Sequence, residues 1–266
     1  RTLFERGLNP ASYFSLNFYE PVNKLLPKYG ATKVFIEGDA VILALFEREG
    51  EAALCVSRTC VLAKEMIEIV RAYNEKSRAA GLPTLELGIG ISYQDSAPMY
   101  LMDGSSRIMI SRALNESDRL SSCARGARNF LGLAESLFNV YAFQTVDDSE
   151  TGGAPEDFLT RYNVGGVHIN HAAFEKLCRE ISLQTHDLKI PTLWDNELVR
   201  LYSGMVAVGA GMFHRIVVRE GLIAHIEPRD YSLKEWTDRH YYEVCTNPVI
   251  YEYLENGMPA GLAAKR

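Results

Sequence analysis

Apolar residues recur at two spacings along this chain, and the spacings predict its elements. Cys55, Leu62, Met66, Ile69 and Tyr73 follow at helical intervals between Ala52 and Ala79, and Gly81-Leu82-Pro83 predicts the stop. A shorter helix is predicted from Phe14 to Leu26, ended by Pro27 and Tyr29-Gly30. Leu85, Leu87, Ile89 and Ile91 alternate with Glu86, Gly88, Gly90 and Ser92, the pattern of a strand covered on one face. Lys33-Val34-Phe35-Ile36 and Val41-Ile42-Leu43-Ala44-Leu45-Phe46 flank Glu37-Gly38-Asp39-Ala40, which predicts a hairpin with Asp39 at its tip. Arg107-Ile108-Met109-Ile110 reads as extended and leads into Ser111, an N-cap for a helix from Arg112 to about Ala124. On that helix Ala113, Leu120 and Cys123 can face a core, while Asn115 and Arg119, one turn apart, project from one side. A plain solvated face, with Arg119 paired to Glu116 or Asp118, is the alternative reading of those two positions.

The polar stretch Asp147 to Pro155, with Gly152-Gly153 inside it, predicts a boundary near residue 150. Residues 1–150 then form one domain, for which Phe138 to Phe143 is the candidate last strand, and residues 151–266 a smaller β-rich domain. In the second part Asn163 to Ile169 looks extended and Ala172 to Leu183 helical. A hairpin is expected over Leu201 to Val208 and His214 to Ile226, with a turn at Glu220-Gly221. Strands are expected at Tyr241 to Cys245 and Val249 to Leu254. The overall class is α/β (α+β).

Composition narrows the function. In 266 residues, 28 Lys and Arg stand against 34 Asp and Glu, a net charge of −6, which lacks the basic excess expected of a nucleic-acid binder. No apolar run reaches the ~18 residues of a membrane span, and the N-terminal stretch lacks a signal-peptide layout, so a cytoplasmic protein is expected. Beginning at Arg1, the chain reads as a processed or trimmed piece. Five scattered cysteines without a Cys-x-x-Cys pair read as reduced thiols, and His168-x-x-His171 as a strand entering a helix in preference to a zinc pair.

Three pieces in order carry a resemblance: Lys33-Val34-Phe35-Ile36-Glu37-Gly38-Asp39-Ala40, Leu87-Gly88-Ile89-Gly90-Ile91-Ser92, and Ala113-Leu114-Asn115-Glu116-Ser117-Asp118-Arg119-Leu120. Together they resemble the catalytic domain of the class III nucleotidyl (adenylate and guanylate) cyclases over roughly residues 14 to 145. The resemblance implies a ferredoxin-like sandwich, a homodimer with sites shared between chains, and a nucleoside triphosphate substrate converted to a 3′,5′-cyclic nucleotide and pyrophosphate. It implies Mg²⁺ or Mn²⁺ as cofactor, with Asp39 as a metal ligand and Gly38 beside it at the substrate. Asn115 would position the ribose and Arg119 would counter charge on the phosphate.

This sequence departs from the family pattern at three points. Residues 1–13 contain no Asp for a second metal ligand, which either lies upstream of Arg1 or is lacking. The base-selecting positions are Phe35 and Ile108, neither of which can hydrogen-bond a base edge, so the base stays open. The late Lys-Gly segment of the family is absent. A non-catalytic nucleotide sensor or dimerisation scaffold of the same fold is the rival reading; a diguanylate cyclase relative is a third, opposed by Asn115-x-x-x-Arg119-Leu120.

Overall fold

A mixed eight-stranded sheet organises the chain. The computed structural model describes residues 7, 15–37, 40–47, 54–104, 106–132, 136–145, 159–190, 192–194, 197–209 and 211–256. In chain order these give α1 (Glu20–Tyr29, entered through a π-helical turn Ser15–Tyr19), β1 (Thr32–Glu37), β2 (Ala40–Ala44), α2 (Cys55–Ala79), β3 (Ile89–Ile91), β4 (Met99–Asp103), β5 (Ser106–Ile110), α3 (Arg112–Ser121) and α4 (Arg125–Leu131). There follow β6 (Val140–Thr145), β7 (Leu159–Asn163), β8 (Val167–Ile169), α5 (His171–Glu180), β9 (Gln184–Lys189), β10 (Leu198–Gly209), β11 (Met212–Ile226), β12 (Leu233–Val244) and α6 (Pro248–Asn256). The class is α+β, as expected.

The large sheet has the order β3-β8-β12-β11-β10-β9, with β6 beside β11 and β7 beside β6. Strands from both sides of residue 150 share it: β3 pairs in parallel with β8 (Ile89↔Val167), and β6 in parallel with β11 (Phe143↔Ala224). Alternation along the central strands sorts side chains into two cores. Val206, Val208, Ile216 and Val218 join α1, α2 and α5 in one, while Val199, Leu201 and Val217 join α4, β6 and Ile250 of α6 in the other.

The helix ends follow their sequence signals. Gly30 closes α1 at φ +68, a left-handed conformation that suits glycine, and Ser111 caps α3 with its Oγ accepting from Leu114 N at 3.0 Å. β1 and β2 form the expected hairpin as a separate two-stranded sheet closed by the pair Glu37↔Ala40; Gly38 and Asp39 lie outside the described residues. The extended run at 107–110 has a partner that patterning missed, since β4 and β5 make a second isolated hairpin.

Three expectations are corrected. The strand expected from Leu85 shortens to Ile89–Ile91, because the Asn74 side chain takes both the N–H and the carbonyl of Leu85, each at 2.7 Å. No turn falls at Glu220-Gly221: β11 continues through both, and the reversal lies between Gly209 and Met212. Gly221 serves packing instead, since a Cβ there would stand 2.5 Å from Tyr241 Cζ on the neighbouring strand. The strand expected at Val249 to Leu254 is the helix α6, started by Asn247, whose Oδ1 accepts from Val249 N at 3.1 Å, and by Pro248 in the first turn.

Replacing Gly221 by Val is expected to displace the Tyr241 ring and lower unfolding free energy by about 1–3 kcal/mol, the usual cost of overpacking. Urea denaturation reads the change, and an unshifted midpoint would contradict this account of the glycine.

Candidate functional site

The two predicted site elements occupy separate places in one chain. The β1–β2 hairpin packs through α1, whereas α3 packs on β3, β7 and β8. Asn115 and Arg119 are both exposed on α3; Phe35 is half-buried on β1; Ile108 on β5 is 42% exposed. The described residues thus bring Asn115 and Arg119 together on one helix face but do not join them to the hairpin. Gly38 and Asp39 lie outside the described residues, so their placement is not part of the geometry.

What holds the Asn115 and Arg119 face in position begins with two missing side chains. A Cβ on Gly90 would lie 2.0 Å from Ser117 O and 2.8 Å from Ser121 N, and one on Gly88 would lie 2.6 Å from Ser121 O. Glycine at both positions lets α3 settle backbone against backbone on the strand segment. Asn163 then clips the junction, its Nδ2 donating to Ile89 O and Leu120 O, both at 2.9 Å. At the start of α3, Ala113 N donates to Gln94 Oε1 at 2.9 Å.

Glu116 anchors the middle of the helix. Its Oε2 accepts from Asn170 Nδ2 at 2.6 Å and Ser92 Oγ at 2.9 Å, and its Oε1 accepts from Arg112 Nε at 2.6 Å. Burial pushes this carboxyl up, but the hydrogen bonds from Arg112, Ser92 and Asn170 win and hold it below the usual carboxylate range. Spacing offered Glu116 or Asp118 as neighbours of Arg119; in the structure Glu116 accepts from Arg112, one turn earlier on the same helix. Asn170, the N-cap of α5, was not singled out from sequence, although Asn ahead of a helix is a capping signal.

Glu47, Cys55 and Glu180 place potential ligand atoms within 4.8 Å of one another. Their chemistry is already committed. Glu180 accepts from Val56 N (3.0 Å) and Ser57 N (2.7 Å), capping α2, whose own N-cap Leu54 cannot; Glu47 pairs with Lys176. Burial, then Glu180, pushes the Cys55 thiol up to about 12, so it stays protonated and donates to both carboxylates. This set does not fit Mg²⁺ or Mn²⁺, which favour oxygen ligands with free lone pairs. His168 and His171 do not converge either: His168 is buried in β8 and His171 is exposed on α5 and pairs with Glu175.

A buried charged cluster lies on the other side of the sheet. Arg219 is fully buried, stacked over Phe138 (4.1 Å), Tyr141 (4.9 Å) and Tyr241 (5.2 Å), with Glu243 Oε2 at 3.6 Å and Glu197 Oε1 at 4.0 Å. Burial outweighs Arg219 and lifts the Glu243 carboxyl to about 7. Burial, reinforced by Arg161, lowers His168 to about 3, so that ring is neutral.

No protein-family model matches the chain, and no curated protein matches it. Among solved structures, the guanylyl cyclase Cya2 is similar at 15% identity and a TM-score of 0.43, over 79% of this chain and 88% of that one. A likeness of that degree leaves the chemistry to the chain's own residues. Among the described residues no helix is long and apolar enough to cross a membrane.

Two outcomes follow. Gly90→Ala is expected to lower unfolding free energy by about 1–3 kcal/mol and to raise amide exchange along α3, because Ser117 O is backbone and cannot swing aside. A fully protected α3 in that variant would contradict the close-contact account. A carboxyl raised in the folded state contributes stability below its unfolded value near 4.5 and loses it as pH rises through about 7. The stability advantage of the natural protein over Glu243→Gln is therefore expected to shrink between pH 4.5 and 7 in urea titrations; an advantage that grows with pH would reverse the assignment.

Proposed function

We propose that this chain is a nucleotidyl cyclase whose site is completed by a second copy of itself. The observation that carries the reading is the exposed Asn115 and Arg119 face, held on a helix locked from behind, together with the β1–β2 hairpin elsewhere in the same chain, between whose strands the sequence has Gly38-Asp39. Two copies placed head to tail would let the hairpin of one meet α3 of the other. The β4–β5 hairpin leading into α3 supports this arrangement. Met99, Leu101 and Met102 on it are each more than half exposed, and Tyr100, Ile108 and Ile110 are exposed as well, an apolar surface that a second chain would cover.

In this reading a nucleoside triphosphate is the substrate. Its ribose 3′-oxygen bonds to the α-phosphorus, the bond from that phosphorus to the bridging oxygen of the β-phosphate breaks, and pyrophosphate leaves while the 3′-hydroxyl proton passes to solvent. Asp39 would hold Mg²⁺ or Mn²⁺, which supplies electrostatic stabilisation of the phosphates. Gly38 lets the phosphates approach the hairpin backbone. Asn115 orients the ribose, and Arg119 meets the negative charge that builds at phosphorus. Phe35 offers a ring face to the base and Ile108 an apolar wall, without a hydrogen-bonding choice among bases.

Phe35 and Ile108 at the base-selecting positions, neither able to hydrogen-bond a base edge, favour a second reading, a non-catalytic nucleotide sensor or dimerisation scaffold. Incubation with each of the four nucleoside triphosphates and Mn²⁺, read by mass spectrometry, separates them. Cyclic product reduced about 10²- to 10³-fold in Arg119→Ala, and regained on mixing that variant with Asp39→Ala, is the expected result. Triphosphate binding without product from any of the four supports the sensor, and product that survives in Arg119→Ala removes Arg119 from the mechanism.

A further inference from the structure

Helix α5 follows residue 150 yet touches the surroundings of both elements that one chain would contribute to the proposed sites. At its start, Asn170 is held from several directions. Its backbone N donates to Ile91 O at 3.0 Å, its Oδ1 accepts from Ala173 N at 2.8 Å and Tyr93 N at 3.4 Å, and its Nδ2 donates to Glu116 on α3 and, at 2.8 Å, to Ser92 Oγ. At its end, Glu180 caps α2, and one turn earlier Lys176 holds Glu47, three residues past β2. Between these ends α5 lies on the sheet, with Phe174 stacked on Tyr242 at 4.0 Å and 12° and tilted on Tyr202 at 5.1 Å.

We propose that α5 is a strut that sets α3 relative to the hairpin exit, and that Asn170 and Glu116 are positioning residues for the Asn115 and Arg119 face. The inference rests on the cyclase reading for what the face does, but not for the strut itself. Asn115 and Arg119 flank Glu116 on α3, so rotation or translation of that helix moves both groups. The close contact at Gly90 limits how near the helix can come. The Glu116 link limits how it turns, because it is a charge-assisted bond of 2.6 Å from a side chain that is itself fixed at three other points. A displacement on the order of 1 Å at a catalytic group can cost about a hundredfold in rate.

The link can be broken without removing the N-cap. Asn170→Asp keeps an oxygen for Ala173 N and replaces the donor to Glu116 with a like charge, while Glu116→Gln/Asn170→Asp restores the bond with its polarity reversed. In the full chain, amide exchange of α3 is expected to rise in Asn170→Asp and to return toward the natural level in the double variant. With substrate and Mn²⁺, kcat is expected to fall about ten- to a hundredfold in Asn170→Asp with KM changed less than threefold, and to recover in the double variant. Unchanged α3 exchange in Asn170→Asp, or a double variant no better than the single, overturns the strut. If the natural chain makes no cyclic product, the cyclase reading fails on that result, and exchange alone still decides whether α5 holds α3.

Discussion

The backbone contact between α3 and the strand segment ending in β3 is the constraint on which the candidate site depends. With side chains at 88 and 90 the helix would be held off, since Ser117 O would lie 2.0 Å from a Cβ on Gly90, well inside van der Waals contact. Two glycines remove that obstacle, and Asn163 spans the junction with hydrogen bonds to Ile89 O and Leu120 O. The helix then presents Asn115 and Arg119 outward as a fixed pair. With the back of α3 fixed in this way, Glu116 reaches Ser92 and Asn170 beyond its own helix and Arg112 within it.

The sheet carries this local arrangement into the rest of the molecule. β3 is an edge strand whose parallel partner β8 comes from beyond residue 150, and β8 runs through Asn170 into α5. One face of the sheet is an apolar core beneath α1, α2 and α5. The other encloses Arg219 among aromatic rings and two glutamates, a costly inclusion that removing one partner would make costlier. The cluster is linked to the chain segment before β6, since Asn139 N donates to Glu243 Oε1 at 2.8 Å. It acts on stability and its pH dependence.

Much of the local structure was legible because its causes are local. Ser111 as a cap, Gly30 as a helix stop, the apolar spacing of α2 and the two runs of the first hairpin all appear where patterning puts them. The failures have non-local causes. Gly221 resembled a turn because its neighbour Tyr241 is twenty residues away in sequence, and the strand from Leu85 was cut short by the side chain of Asn74. For α6 a local signal existed in Asn247-Pro248, ahead of the run Val249 to Leu254 that reads as a strand. Of the site, the Asn115 and Arg119 face was visible from their spacing. The roles of Asn170 and Glu180 were not, since each depends on a partner more than fifty residues distant.

The account's central claim is that a productive site needs two copies of the chain, and specific activity as a function of protein concentration tests it most directly. With Mn²⁺ and saturating triphosphate, cyclic product per mole of protein is expected to rise with concentration and to follow the monomer-to-dimer transition measured by sedimentation velocity under the same conditions. Constant specific activity across a range in which the protein sediments as a monomer would contradict it.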